Sequence, residues 1–386
     1  MFYLLAALFA LAPTYAVRFN IGIPVNLLEV LALAFLLVFA AWLVKSESVQ
    51  DFKDHVTGQP RAMFWLAGLL LLAGLISAAI APDKQRGFGL WFVYFAEPLL
   101  LYMPASYILH SPSNKLKMTK WLFILVAIYS VYAILQYFFN IGLPLAWQGN
   151  PVEPRRAISF FNHPNGFSLF LVPLLAFLVP FVFDYKFSWF YKICYALGVV
   201  GLLLSLSRGG WATFVIIAAI YILFFATKKV RWDGIGATIL LIIIVSAIPF
   251  LRSRAISAYI GDKSTESRIS LWQTGKKMVA SSPLLGKGLQ GFEANFDKYN
   301  SDPTQEKINL AHNIFLNFWI ETGLLGLIAF GLICLFAIYR GWRTGGLVGV
   351  GIILFVLAIL IHGQVDNAYM RNDLALEFWL ILAFIS

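Results

Sequence analysis

The sequence predicts an all-α polytopic integral membrane protein with about twelve transmembrane helices and one long extracytoplasmic loop. Two observations carry that expectation. Apolar residues fill 60% of the 386 positions and charged residues only 12%, where soluble domains hold roughly 45–50% and 25%. The apolar residues also come in runs of bilayer length separated by short polar loops, apart from one long charged stretch at about 252–312. Lipid offers no partner for an unpaired backbone group, so each run is expected as a helix. The chain shows no repeat of 20 to 50 residues and no soluble domain, and 1–386 reads as a single membrane domain.

In chain order the runs lie at about 2–17, 24–44, 62–81, 88–109, 121–142, 165–183, 189–206, 211–227, 234–251, 313–339, 345–362 and 371–386. The first ends in small residues, Thr14 and Ala16, in the manner of a cleavable leader, but no positive segment precedes it, so it is expected to stay as a span. With the N-terminus in the cytoplasm, the inner loops hold Lys45, Lys53, Arg61, Lys115, Lys117, Lys120, Lys186, Lys192, Lys228, Lys229, Arg231, Arg340 and Arg343. The short outer loops hold Arg18, Lys84, Arg86, Arg155, Arg156, Arg208 and Arg371, seven basic residues against thirteen. That bias satisfies the positive-inside rule and puts 252–312 outside.

The net charge of +10 would suggest nucleic acid in a soluble protein. Here it sits in loops that set membrane orientation, and no nucleic-acid partner is expected. The outer loops are arginine-rich while the inner ones are lysine-rich. Arginine's planar fork grips phosphate or carboxylate with two hydrogen bonds, so arginines on the disfavoured side point to an anionic ligand there. Snorkelling at helix ends is the alternative reading. Cys194 and Cys334 fall inside apolar runs, without metal spacing or a disulfide framework, and are read as packing residues.

Within the long loop, Ile269, Trp272 and Val279 recur at helical spacing after Ser264–Ser267, and Ser282-Pro283 stops the pattern. An amphipathic helix on or near the membrane surface is expected there. Gly286–Gly291, GKGLQG, matches the dinucleotide fingerprint in letters but lacks its strand and helix context, and is read as a glycine turn. His55 and His110 fall in inner loops, and His163, His312 and His362 near outer span ends. They lack close ligand spacing, and no aspartate pair at one-residue spacing is present, so neither a metal nor a cofactor is expected. Glu97, Glu321 and Glu377 sit within runs and are candidates to neutralise an arginine.

The loop ends in His312-Asn313, followed by nine residues, Gly323, two residues and Gly326. This pattern resembles the signature of the O-antigen ligase family. RRAISFFNHPNGFS (Arg155–Ser168), SLSRGGW (Ser205–Trp211) and SRISLW leading to SPLLGKGLQGF (Ser267–Phe292) resemble other family segments in the same order. The resemblance runs from about residue 60 to 386.

It implies a cell-envelope polysaccharide enzyme of the cytoplasmic (inner) membrane, as in lipopolysaccharide assembly. The donor would be a glycan on a polyprenyl diphosphate, and the acceptor a hydroxyl on a lipid, glycan or protein, met at the outer face. The diphosphate is already a good leaving group, so the catalyst has to hold it and take the acceptor's proton. His312 is the candidate base. Arg208 and Arg268 are the candidate diphosphate clamps, with Arg155 and Arg156 as secondary ones. Asn313, Asp366 and His163 complete the candidate substrate-binding set, Asp366 as a residue that orients His312 or an acceptor. A repeat-unit polymerase would use the same site. A membrane transporter would instead carry broken helices and charges at the bilayer midplane.

Overall fold

The computed structural model describes residues 1–20, 24–150, 154–184, 187–256 and 263–385. Its first elements are α1 (Phe2–Ala10), strands β1 (Arg18–Asn20) and β2 (Pro24–Asn26), then α2 (Leu27–Lys45), α3 (Val49–Gly58), α4 (Arg61–Ala79), α5 (Lys84–Trp91) and α6 (Glu97–Leu109). There follow α7 (Pro112–Phe139), α8 (Pro164–Val182), α9 (Trp189–Leu204), α10 (Arg208–Phe224), α11 (Lys228–Ala247) and α12 (Pro249–Ile256). The chain closes with α13 (Lys263–Ser281), α14 (Gly291–Tyr299), α15 (Ile314–Thr344), α16 (Gly346–His362) and α17 (Asn372–Leu382).

Seven of the described helices are long and apolar enough to cross a membrane: α2, α4, α5 with α6 as one 26-residue rod, α7, α8, α11 and α15. Three shorter apolar helices, α9, α10 and α16, fall on further runs. At the two ends of the chain the helices are shorter than the runs. α1 stops after nine residues and gives way to a 3₁₀ turn at Ala12–Ala16, because Pro13 has no N–H to continue an α-helical ladder. α17 covers 11 residues and also tightens into a 3₁₀ turn. Composition had not marked α3, a polar helix between two apolar ones, nor the short antiparallel pair that sets Arg18 opposite Asn26.

The chain divides into two compact units: 1–115 with 266–340 and 363–386, and 116–265 with 341–362. In the first, α6 packs against α17 and α2, and α4 against α5. Asn26 starts α2 with a capping box, its side chain taking the Glu29 N–H while Glu29 takes the Asn26 N–H. In the second unit α8 is the central helix, packed by α16, α10 and α9, with nearly all its residues buried. Small residues permit that closeness: a Cβ on Gly351 of α16 would lie 2.6 Å from the Phe177 carbonyl of α8, and one on Gly201 of α9 2.5 Å from Ser130 Oγ of α7.

The stretch from α13 to the start of α15 builds a small core of its own. Leu271, Met278, Val279, Phe292, Phe296, Ala311 and Ile320 are buried together, with Leu316 and Trp319 packed on them. The GKGLQG segment is a turn held at two places by backbone contact. Gly286, Gly288 and Gly323 all have positive φ. A Cβ on Gly286 would fall 2.4 Å from the Ile320 carbonyl, one on Gly288 2.8 Å from Ala81, and one on Gly323 2.3 Å from the Leu284 carbonyl. The family-signature glycine is thus the point where the turn crosses α15, and it breaks that helix with φ 67° and ψ −175°.

Candidate active site

In the first unit, the end of the long loop and the segment between α16 and α17 are laced together by backbone and side chains. The Ile314 N–H donates to the Gly363 carbonyl at 2.7 Å, and Asn313 Nδ2 to the Gln364 carbonyl at 3.0 Å. Asn313 Oδ1 caps α15, taking the N–H groups of Phe315 and Leu316 at 3.1 and 3.0 Å. Asn313 is therefore a joint between the two segments as well as a helix cap.

His312 precedes that cap in the left-handed region, φ 48°, an uncommon conformation for a residue with a side chain. Its carbonyl accepts from Trp272 Nε1 at 3.2 Å, and its Nδ1 lies 2.7 Å from Asp366 Oδ1. Asp366 is buried, whereas the His312 side chain is 34% exposed. A carboxylate can only accept, so the proton of the neutral ring sits on Nδ1 and the Nε2 lone pair is left to accept another proton. Asp366 Oδ1 also takes the Asn367 N–H at 2.8 Å, which fixes the carboxylate.

Arg268 arrives from α13 at the same segment, its Nε donating to the Val365 carbonyl at 2.8 Å. The structure thus brings His312, Asn313, Arg268 and Asp366 together around residues 363–367. Glu321, a candidate partner for an arginine, instead accepts the backbone N–H groups of Gln290 and, at 3.0 Å, Phe292 at the start of α14. Arg371, one of the outer-loop arginines, is paired with buried Asp373 through two bonds of 2.6 and 2.7 Å and lies over the Tyr15 ring.

The other candidates belong to the second unit. Arg208 is the first residue of α10, after Ser207, whose hydroxyl accepts the Gly210 N–H at 3.4 Å. The turn before it is gripped from two sides: Arg156 Nε donates to the Ser205 carbonyl at 3.0 Å, and Arg254 Nε of α12 to the Leu206 carbonyl at 3.2 Å. Arg156 also reaches Asn165 Oδ1 at 2.8 Å and faces the Trp147 ring. Arg155 donates to the Gln148 and Tyr137 carbonyls, closing the end of α7. His163 caps α8, taking the Asn165 N–H on Nδ1 at 3.0 Å, and packs edge-on to Trp147. Arg254 was not legible as part of this cluster, because nothing in its local sequence ties it to a turn 48 residues away.

The stretch 193–331 matches the sequence model of a family described as O-Antigen ligase. Over those residues the chain is similar to that family. No curated protein matches the chain. The O-antigen ligase match takes in Arg208, Arg268, His312, Asn313 and both glycines of the motif, Gly323 and Gly326, while Arg155, Arg156, His163 and Asp366 fall outside it. Among the described residues no three His, Cys, Asp or Glu side chains gather as a metal-binding group, and Cys194 and Cys334 are buried free thiols.

Proposed function

We propose that this multi-pass membrane protein transfers a glycan from a polyprenyl diphosphate to an acceptor hydroxyl at the outer face of the cytoplasmic membrane, with the chain crossing about twelve times. The observation that carries the reading is the His312–Asp366 pair at 2.7 Å, set beside Arg268 and inside or next to the O-antigen ligase match. The acceptor O–H gives its proton to His312 Nε2 as its oxygen attacks the anomeric carbon. Asp366 holds the ring and stabilises the imidazolium that forms. The bond from that carbon to the diphosphate oxygen breaks, and the diphosphate leaves with the charge. Arg268 stabilises that charge beside the histidine, so no metal is required by the step; Arg208, with Arg155 and Arg156, is a further candidate holder of the diphosphate read from the sequence. Asn313 and His163 complete the set of candidate substrate-binding residues.

The test uses the purified protein in liposomes with a polyprenyl-diphosphate glycan and a hydroxyl acceptor. Free polyprenyl diphosphate should appear one for one with glycosylated acceptor. Donor that stays intact with every acceptor class offered, including a second polyprenyl-linked repeat, would overturn the reading.

A further inference from the structure

We infer that the tip of the glycine turn, Pro283–Leu284–Leu285, is an interfacial anchor whose two leucines enter the lipid where α15 leaves the membrane. Leu284 and Leu285 are 69% and 55% exposed, although they adjoin a well-packed core. In water two neighbouring bare leucines would cost free energy, at roughly 25 cal/mol per Å² of apolar surface.

Their position is fixed by α15. The Leu324 N–H donates to the Leu284 carbonyl at 3.0 Å, the Lys287 N–H to the Ile320 carbonyl, and Trp319 Nε1 to the Pro283 carbonyl at 2.7 Å. The tip is therefore at the level of Gly323, nine residues into the helix. α15 is two helices joined at Gly323, and only the second has to match a hydrocarbon layer of about 30 Å. Leu316, Trp319 and Ile320 pack into the core built by α13 and α14, so Ile314–Thr322 belongs to the outer loop. From Gly323 to Arg340 the helix runs 18 residues, about 27 Å, and carries an exposed apolar stripe, Ile328, Leu332, Leu335 and Tyr339. That stripe faces lipid, and the two leucines continue it at its upper end.

The surroundings suit a headgroup layer. Lys287 reaches the Tyr299 hydroxyl at 3.2 Å, and Lys276 and Lys277 are exposed on the last turns of α13. Tryptophan, tyrosine and lysine over an apolar tip are the side chains that settle at a bilayer boundary. Turn backbone at this depth is tolerated because α15 itself satisfies part of its hydrogen bonding.

The experiment places a nitroxide on a cysteine substituted at Leu284 or Leu285, in the full-length protein in phospholipid nanodiscs, with the buried native thiols as background. Leu335→Cys is the lipid reference and Asp302→Cys the water reference. We expect both tip labels to relax faster with oxygen than with a water-soluble nickel chelate, as at Leu335. Tip labels that behave like the one at Asp302 would overturn the inference. So would dipolar coupling between tip labels of two copies, which would make the tip a protein interface. The readout is independent of glycan transfer, so its failure leaves the proposed chemistry standing.

Discussion

Removing the Asp366 carboxylate tests the proposed base more sharply than removing the histidine does. Asp366 touches no substrate in this reading and acts through the 2.7 Å bond to His312 Nδ1. A hydrogen bond to a charged group contributes about 1.5–3 kcal/mol. Were all of that stabilisation exerted on the imidazolium of the transition state, Asp366→Ala would slow transfer about 10- to 150-fold, at 1.36 kcal/mol per decade. Asp366→Asn should lose less, because an amide oxygen can still take both the His312 and the Asn367 N–H groups and only the charge is gone. Removing His312 itself removes the base, typically about 10² to 10⁴ in rate, and leaves Asp366 nothing to orient. The double variant His312→Ala/Asp366→Ala should therefore be no slower than His312→Ala alone. The assay is single-turnover release of polyprenyl diphosphate in liposomes at saturating donor. Wild-type rate in Asp366→Ala, or losses that multiply in the double variant, would refute the argument.

Four further outcomes are expected. Arg208→Lys and Arg268→Lys should each lower turnover by the equivalent of about 1.5–3 kcal/mol while the protein stays folded; full activity in both would reduce them to interfacial residues. Chelator should not inhibit, since the proposed step needs no metal; loss of activity restored by zinc would overturn the base assignment. Gly323→Ala should lower the unfolding temperature in detergent, because φ 67° and a Leu284 carbonyl 2.3 Å from the new Cβ exclude a side chain, at a cost of about 1–3 kcal/mol. Gly331→Ala, with open space around it, should not. Lys298→Cys should react with an impermeant thiol reagent added from outside intact cells; labelling only from the cytoplasmic side would reverse the orientation.

Composition and periodicity were enough to give a helical membrane protein, because lipid demands uninterrupted apolar runs and every such run is visible locally. The charge in the short loops supports an expected orientation for the same reason, each basic residue acting independently of the fold, and the labelling of Lys298→Cys tests it. The motif of His312, Asn313, Gly323 and Gly326 was legible as a family signature, but its physical content was not. Only the tertiary structure shows Gly323 as the crossing point of the 282–290 turn, and Asn313 as the joint to Gln364. Asp366 lies 54 residues from His312, and no local pattern ties a carboxylate to an imidazole at that separation. Arginine identity was equally silent about role: the same residue type pairs with Asp373 at position 371, closes α7 at 155 and meets the segment of Asp366 at 268. A sequence records which groups are present and how the solvent sorts them along the chain. Which of them come within 3 Å of one another is decided by long-range packing, where each partner is selected by geometry that neither carries alone.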